Sequence, residues 1–189
     1  MKKIAILASG SGTNAENLIR FFRTKPAGRV DFVLTNKPGA GVIQRSESLH
    51  VETLVFGREQ FYESEDIVDL LKEREIDLIV LAGFLWLVPP GLIRAYQGRI
   101  INIHPALLPK YGGKGMYGSH VHKAVVNSGD VESGITIHHV NQDYDEGSII
   151  FQAKCEVKDG DSPEDLAARI HELEYEHYPK VVEKLLDQL

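Results

Sequence analysis

Lys3-Ile4-Ala5-Ile6-Leu7-Ala8, followed at once by Ser9-Gly10-Ser11-Gly12-Thr13-Asn14, is the stretch on which the fold turns. The run from Ile4 to Ala8 is apolar without alternation, which reads as a strand covered on both faces. Two glycines then open a turn, and the residues from Asn14 to Arg23 take up helical spacing. Strand, glycine turn and helix in that order make the opening unit of a parallel α/β sheet. Working outward, the same alternation recurs. Strands are predicted at Val30–Thr35, Glu52–Phe56, Asp77–Ala82, Ile100–His104, Gly134–Val140 and Ser148–Val157. Helices are predicted at Gly41–Ser48, Glu63–Arg74, Ser119–Ser128 and Pro163–Leu186. The last opens with Asp161-Ser162-Pro163-Glu164, an N-cap before a proline at the first turn, and Pro179 is expected to kink or break it. The fold class is therefore α/β: a mainly parallel, doubly wound sheet of about seven strands with helices on both faces. Strand order is expected to become less regular after about Ile100.

The 189 residues fit one domain, with a Rossmann-like nucleotide-binding half over 1–100 and a catalytic and folate-binding half expected over 101–189. Hydrophobic residues at 43% and charged residues at 25% match an ordinary globular core and argue against disorder. A net charge of −6 with no basic run excludes the electrostatic footprint of a nucleic-acid binder, so an anionic ligand must be gripped locally. The one cysteine, Cys155, forbids an intrachain disulfide and reads as a buried, inert thiol in a reducing compartment. The first apolar run is too short for a leader, and no stretch approaches the roughly 20 apolar residues of a membrane span. A cytoplasmic protein acting on small molecules, without nucleic acid or membrane, as a monomer or weak homodimer, is expected.

Three constellations carry chemistry. In the first, residues 9–14, backbone N–H groups and the positive end of a helix dipole converge where glycine permits close approach, which suits a phosphate. With Ala15 it also matches G-x-G-x-x-A, a dinucleotide signature, but the second strand ends in Thr35-Asn36 where that use wants an acid. A phosphate monoester, a dinucleotide and a purely structural turn all stay open. The second is Asn102-Ile103-His104-Pro105-Ala106-Leu107-Leu108-Pro109-Lys110-Tyr111-Gly112. Side chains two apart share a strand face, so Asn102 and His104 project together at the carboxyl end, an amide and an imidazole suited to a developing oxyanion. The third is Asp143-Tyr144-Asp145-Glu146-Gly147-Ser148, a loop whose carboxylate, brought near His104, would raise the imidazole pKa. Acidic loops are usually solvated turns. Metal binding is not expected: His171 and His177 are six apart, and His120 and His122 two apart, neither a zinc spacing on a helix.

Taken together, these stretches resemble the glycinamide ribonucleotide formyltransferases, with Asn102-Ile103-His104-Pro105 and Leu108-Pro109-Lys110-Tyr111 the most specific part. Leu81-Ala82-Gly83-Phe84 and Asp145-x-Gly147 join them, and the likeness spans essentially the whole chain. The resemblance implies 10-formyltetrahydrofolate as co-substrate, no metal, and a formyl group passed to the amine of glycinamide ribonucleotide in purine biosynthesis. It implies a catalytic trio of Asn102, His104 and Asp145. His104 is the acid near the formyl oxygen, Asn102 the donor to the oxyanion, and Asp145 the group that holds and charges the imidazole. The amine is the nucleophile, and no covalent enzyme intermediate is required. Gly12, Thr13 and Asn14 are implied to hold the phosphate and Glu174 the ribose hydroxyls. The folate is implied to lie against Leu85, Trp86, Leu87 and Val88, with Asn102 also in contact and Arg58 reaching its acidic tail. His138 matches a further histidine near the site. Two departures stand out: Trp86 takes a place where some relatives carry Arg, and residues 112–118 form a longer loop that brings Lys114 and Tyr117 beside the site. Methionyl-tRNA formyltransferase and formyltetrahydrofolate hydrolase share the trio but carry an added domain, for tRNA or for regulation, which is not expected here. A dinucleotide-binding protein is the alternative of another class.

Overall fold

At the centre of this protein short apolar runs become strands because each can bury both of its faces. A computed structural model describes residues 1–189. In chain order the elements are β1 (Lys2–Leu7), α1 (Thr13–Phe22), β2 (Gly28–Thr35), α2 (Gly41–Ser48), β3 (Glu52–Val55), α3 (Arg58–Tyr62), α4 (Asp66–Glu73) and β4 (Leu78–Leu81). There follow α5 (Pro90–Ala95), β5 (Ile100–His104), α6 (Ser119–Ser128), β6 (Glu132–His139), β7 (Ile149–Glu156) and α7 (Pro163–Leu186). The strands form one sheet of order β3-β2-β1-β4-β5-β6-β7. The first five run parallel, and β6 and β7 are antiparallel additions.

Successive side chains of a strand point to opposite faces, and the core divides accordingly. Ile4, Ile6, Val33, Val80 and Ile101 pack with Leu18 of α1, Val121 of α6 and Ile170, Tyr178 and Val182 of α7. Ala5, Leu7, Phe32, Leu34, Ile79 and Ile100 face the other way, against Phe61 of α3, Leu71 of α4 and Leu92 of α5. Helices thus cover both faces.

Three local expectations change. Helix α7 runs unbroken through Pro179. Proline has no N–H for the carbonyl four residues earlier, Tyr175, and Asn17 of α1 donates to that oxygen instead at 3.0 Å. Cys155 is half-buried on edge strand β7 rather than enclosed, and what burial it has pushes its thiol pKa up. The predicted helix over 63–74 shortens to α4, and the short helices α3 and α5 occupy stretches given no element, each only about one and a half turns of chain.

Candidate active site

From β1 the chain steps to β2 on one side, whereas β4 leads to β5 on the other. The crevice beyond the carboxyl ends of β1 and β4 is where open α/β sheets leave room for ligands. A cavity of about 700 Å³ opens there. It is walled by residues 9–14 after β1, 81–88 after β4, 102–105 at the end of β5, 113–118, 143–145, and His122, His138, His171 and Glu174.

At one pole lies the glycine turn. Gly12 caps α1 with φ 79°, and a Cβ there would sit 2.5 Å from the Val42 Cα, so only glycine fits. The Ser9 hydroxyl donates to Asn36 Oδ1 at 2.7 Å and accepts the Leu85 N–H at 3.0 Å, pinning the turn to the ends of β2 and β4. Thr13 is the first residue of α1, and Asn14 Nδ2 donates to Glu174 Oε2 at 2.9 Å. Glu174, 5% exposed, is also reached by His171 Nδ1 at 2.9 Å. That bond to the carboxylate holds the His171 imidazole above its usual range. Asn14 Oδ1 is buried without a partner, an acceptor facing no donor of the protein. Lys37, just past β2, lines the same pole in the region where a dinucleotide site would want an acid.

Asn102, His104 and Asp145 meet at the other pole. The β5–β6 register sets Asn102 opposite His138 and His104 opposite Thr136. His104, 3% exposed, has Nδ1 3.4 Å from Asp145 Oδ2, and its Nε2 lies 2.7 Å from the Tyr111 carbonyl, to which it donates. Asn102 Nδ2 lies 3.4 Å from Asp145 Oδ1 and 3.2 Å from His138 Nε2, and the Gly113 N–H donates to Asp145 Oδ2 at 3.0 Å. Burial raises the Asp145 pKa, but the His138 contact, the His104 imidazole and the Gly113 N–H outweigh it, so the group sits below the usual carboxylate range. For His104 the balance falls the other way. Burial lowers its pKa and exceeds the lift from Asp145 and the Tyr111 carbonyl, so the ring is held below its ordinary 6.5. Asp145 and the Tyr111 carbonyl both favour the charged ring, as expected of a carboxylate brought near it, and burial opposes them.

Between the poles runs an apolar wall. Leu85, Trp86, Leu87 and Val88 line the cavity, and Trp86 packs with Phe56, Phe61 and Tyr62 at centroid distances of 5.8 to 5.9 Å. Arg58 is not part of the cavity wall. Its guanidinium lies 5.0 Å from the Tyr62 ring centre and 5.3 Å from that of Trp86.

The family model described as "Formyl transferase" matches residues 2–182. The chain belongs to the formyl transferase family. Among its relatives, the phosphoribosylglycinamide formyltransferase of Haemophilus influenzae is 39% identical over 96% of this formyl transferase and 86% of its own length. The chloroplastic enzyme of that name from Arabidopsis thaliana is 39% identical over 99% of the chain. This formyl transferase spans 66% of that plant relative, just under two thirds. The crystal structure of the Streptococcus pneumoniae TIGR4 phosphoribosylglycinamide formyltransferase superposes with a TM-score of 0.85 at 39% identity, covering 98% of this chain and 99% of that one.

The site of this formyl transferase thus brings the sequence-derived candidates together, Arg58 apart. It also holds three polar side chains that sequence reasoning had not placed there: Lys37, His122 and His171. The two histidines had been weighed only as metal ligands. The spacing of His171 and Glu174, three apart on a helix and therefore on one face, was the signal available for one of them.

Proposed function

We propose that this cytoplasmic protein transfers the formyl group of 10-formyltetrahydrofolate to the amine of glycinamide ribonucleotide. The products are formylglycinamide ribonucleotide and tetrahydrofolate, in purine biosynthesis. The observation that carries the reading is the convergence of Asn102, His104 and Asp145 in one cavity whose far pole is a glycine turn at a helix N-terminus. The names of the whole-chain relatives support it.

The residues fit both molecules. An apolar wall of residues 85–88 beside a polar pole suits a flat heterocycle with one reacting end, and the folate supplies the activated formyl carbon. Residues 12–14 and Lys37 offer N–H groups and a cation to a phosphate. Glu174 and the unpartnered Asn14 Oδ1 are acceptors for ribose hydroxyls. The chain works as a single domain in this reading, since the folate wall comes from residues 1–100 and Glu174 from 101–189.

His104, neutral and enclosed, accepts the proton that the amine gives up as its nitrogen bonds to the formyl carbon. Asp145 stabilises the imidazolium so formed, and His104 returns the proton to the departing folate nitrogen. One group thus serves as base and then acid, and the amine needs no covalent help from the protein.

The test is to incubate the protein with 10-formyltetrahydrofolate, with and without glycinamide ribonucleotide, and follow the deformylated folate by absorbance. Release that requires the ribonucleotide is expected. Release in its absence favours a hydrolase, and release under neither condition overturns the reading.

A further inference from the structure

Residues 111–113 touch both members of the His104–Asp145 pair. The Tyr111 carbonyl accepts from His104 Nε2 at 2.7 Å, and the Gly113 N–H donates to Asp145 Oδ2 at 3.0 Å. Upstream the loop is fastened to the sheet. Thr136, opposite His104 in the strand register, accepts the Leu108 N–H at 2.9 Å and donates to the Ala106 carbonyl at 2.7 Å. Gln152 Nε2 donates to the Leu108 carbonyl at 3.1 Å. At Tyr111 a side chain takes over. Its backbone is left-handed, with φ 57°, a conformation that residues bearing a Cβ rarely adopt. Its phenol donates to Asp130 Oδ2 at 2.7 Å and lies 2.6 Å from Ser128 Oγ, at the end of α6. Lys110 Nζ, 3.1 Å from the same carboxylate oxygen, steadies Asp130. Tyr111, Ser128 and Asp130 do not line the cavity, so this tie lies outside the space for substrates.

A side chain that touches no substrate but sets a carbonyl against His104 can bear on the chemistry only through that ring. Once His104 has taken a proton, both ring nitrogens carry hydrogens and both acceptors are met, Nε2 by the Tyr111 carbonyl and Nδ1 by Asp145 at 3.4 Å. We propose that Tyr111 is a positioning residue: its phenol, tied to Asp130 outside the cavity, fixes the backbone carbonyl that receives the His104 Nε2–H and so stabilises the imidazolium formed when the amine gives up its proton. This rests on the functional reading above.

Tyr111→Phe removes the tie and keeps the ring and the carbonyl. It is expected to lower kcat by about 5- to 20-fold with KM for both substrates little changed, because the carbonyl acts after binding. Carbon-13 NMR of labelled histidine, with the His104 signal identified by its loss in His104→Ala, reads the ring directly. Its titration is expected to move lower by about 0.5 to 1 pH unit in Tyr111→Phe, the sign of a lost acceptor, and the acidic limb of the kcat profile to move with it. Asp145, His138 of β6, Glu174 of α7 and His122 of α6 also act on this ring, and the tested substitutions leave them in place. Asp130→Asn discards the charge but keeps an acceptor for the phenol, and it is expected to leave the titration near its original place. Replacing Ser128 and Asp130 together by Ala removes both partners and should shift the titration as Tyr111→Phe does, with no further shift when the changes are combined. An unmoved titration in Tyr111→Phe and in the double variant, or an equal shift in Asp130→Asn, overturns the proposal. Absence of formyl transfer in the unaltered protein defeats the functional reading, while the His104 titration still decides whether Tyr111 holds the ring.

Discussion

His104 stands between two opposed influences, an enclosing wall that resists charge and a carboxylate that invites it. If it carries the proton between nitrogens, His104→Ala should reduce transfer by at least about 100-fold with the circular dichroism spectrum unchanged. Near-normal turnover would remove His104 from the mechanism. The same enclosure has a consequence for stability. Burial lowers the pKa of His104, His122 and His139 from 6.5, so the unfolded chain binds protons there more readily than the folded one. Their contribution is therefore present above 6.5 and is lost as pH falls from 6.5 through the depressed folded values. His171, raised by Glu174, works in the opposite sense, but one partly exposed group opposes three. Melting temperature should drop between about pH 7.5 and about pH 5.5, and a rise over that interval would contradict this balance. The catalytic candidates were legible because Asn102 and His104 share a strand face by spacing alone. The sign of the His104 shift was not, since it depends on how much protein closes over the ring, and that is set by β6 and the loop at Tyr111. Lys37 and His122 had no local pattern to betray them and enter the site through tertiary placement.

Among the elements, the central parallel strands were readable because they are apolar on both faces, as Leu78–Leu81 shows. Short α3 and α5 were not, because five or six residues give too little periodicity to register. The reversal of β6 and β7 leaves no mark in composition and follows from how the chain returns past β5. Two elements allow sharp tests. At the start of α1, Gly12→Ala adds a Cβ against Val42 at a positive φ and should cost about 2–4 kcal/mol in urea denaturation. A loss within error of zero would mean that the turn relaxes freely. In α7 the Tyr175 carbonyl left by Pro179 depends on Asn17. Asn17→Ala should cost about 1 kcal/mol, and clearly less in a Pro179→Ala background, where the helix supplies its own N–H. Equal costs in the two backgrounds would dissociate Asn17 from the proline. The uninterrupted α7 was illegible for this reason: the group that compensates for Pro179 lies 162 positions earlier in the chain.

At the scale of the whole molecule, a chain of net charge −6 is read as gathering anionic substrates into one crevice, and occupancy there should be visible globally. Glycinamide ribonucleotide at about 100 times its Kd should stabilise the protein by about 2.7 kcal/mol, seen as a higher Tm, and no shift at saturation would argue that the glycine pole does not hold it. The antiparallel strands complete the crevice, since β6 supplies His138 and the turn into β7 supplies Asp145. One small hydroxyl ties two walls of the crevice together. Ser9, itself part of the glycine turn, donates to Asn36 at the end of β2 and accepts the Leu85 N–H of the apolar wall. A ligand that displaces either support disturbs the footing of its neighbour, and thermodynamic linkage makes any such influence mutual and equal in size. Synergy between the two substrates, if measured, would then have a single atom as its pivot.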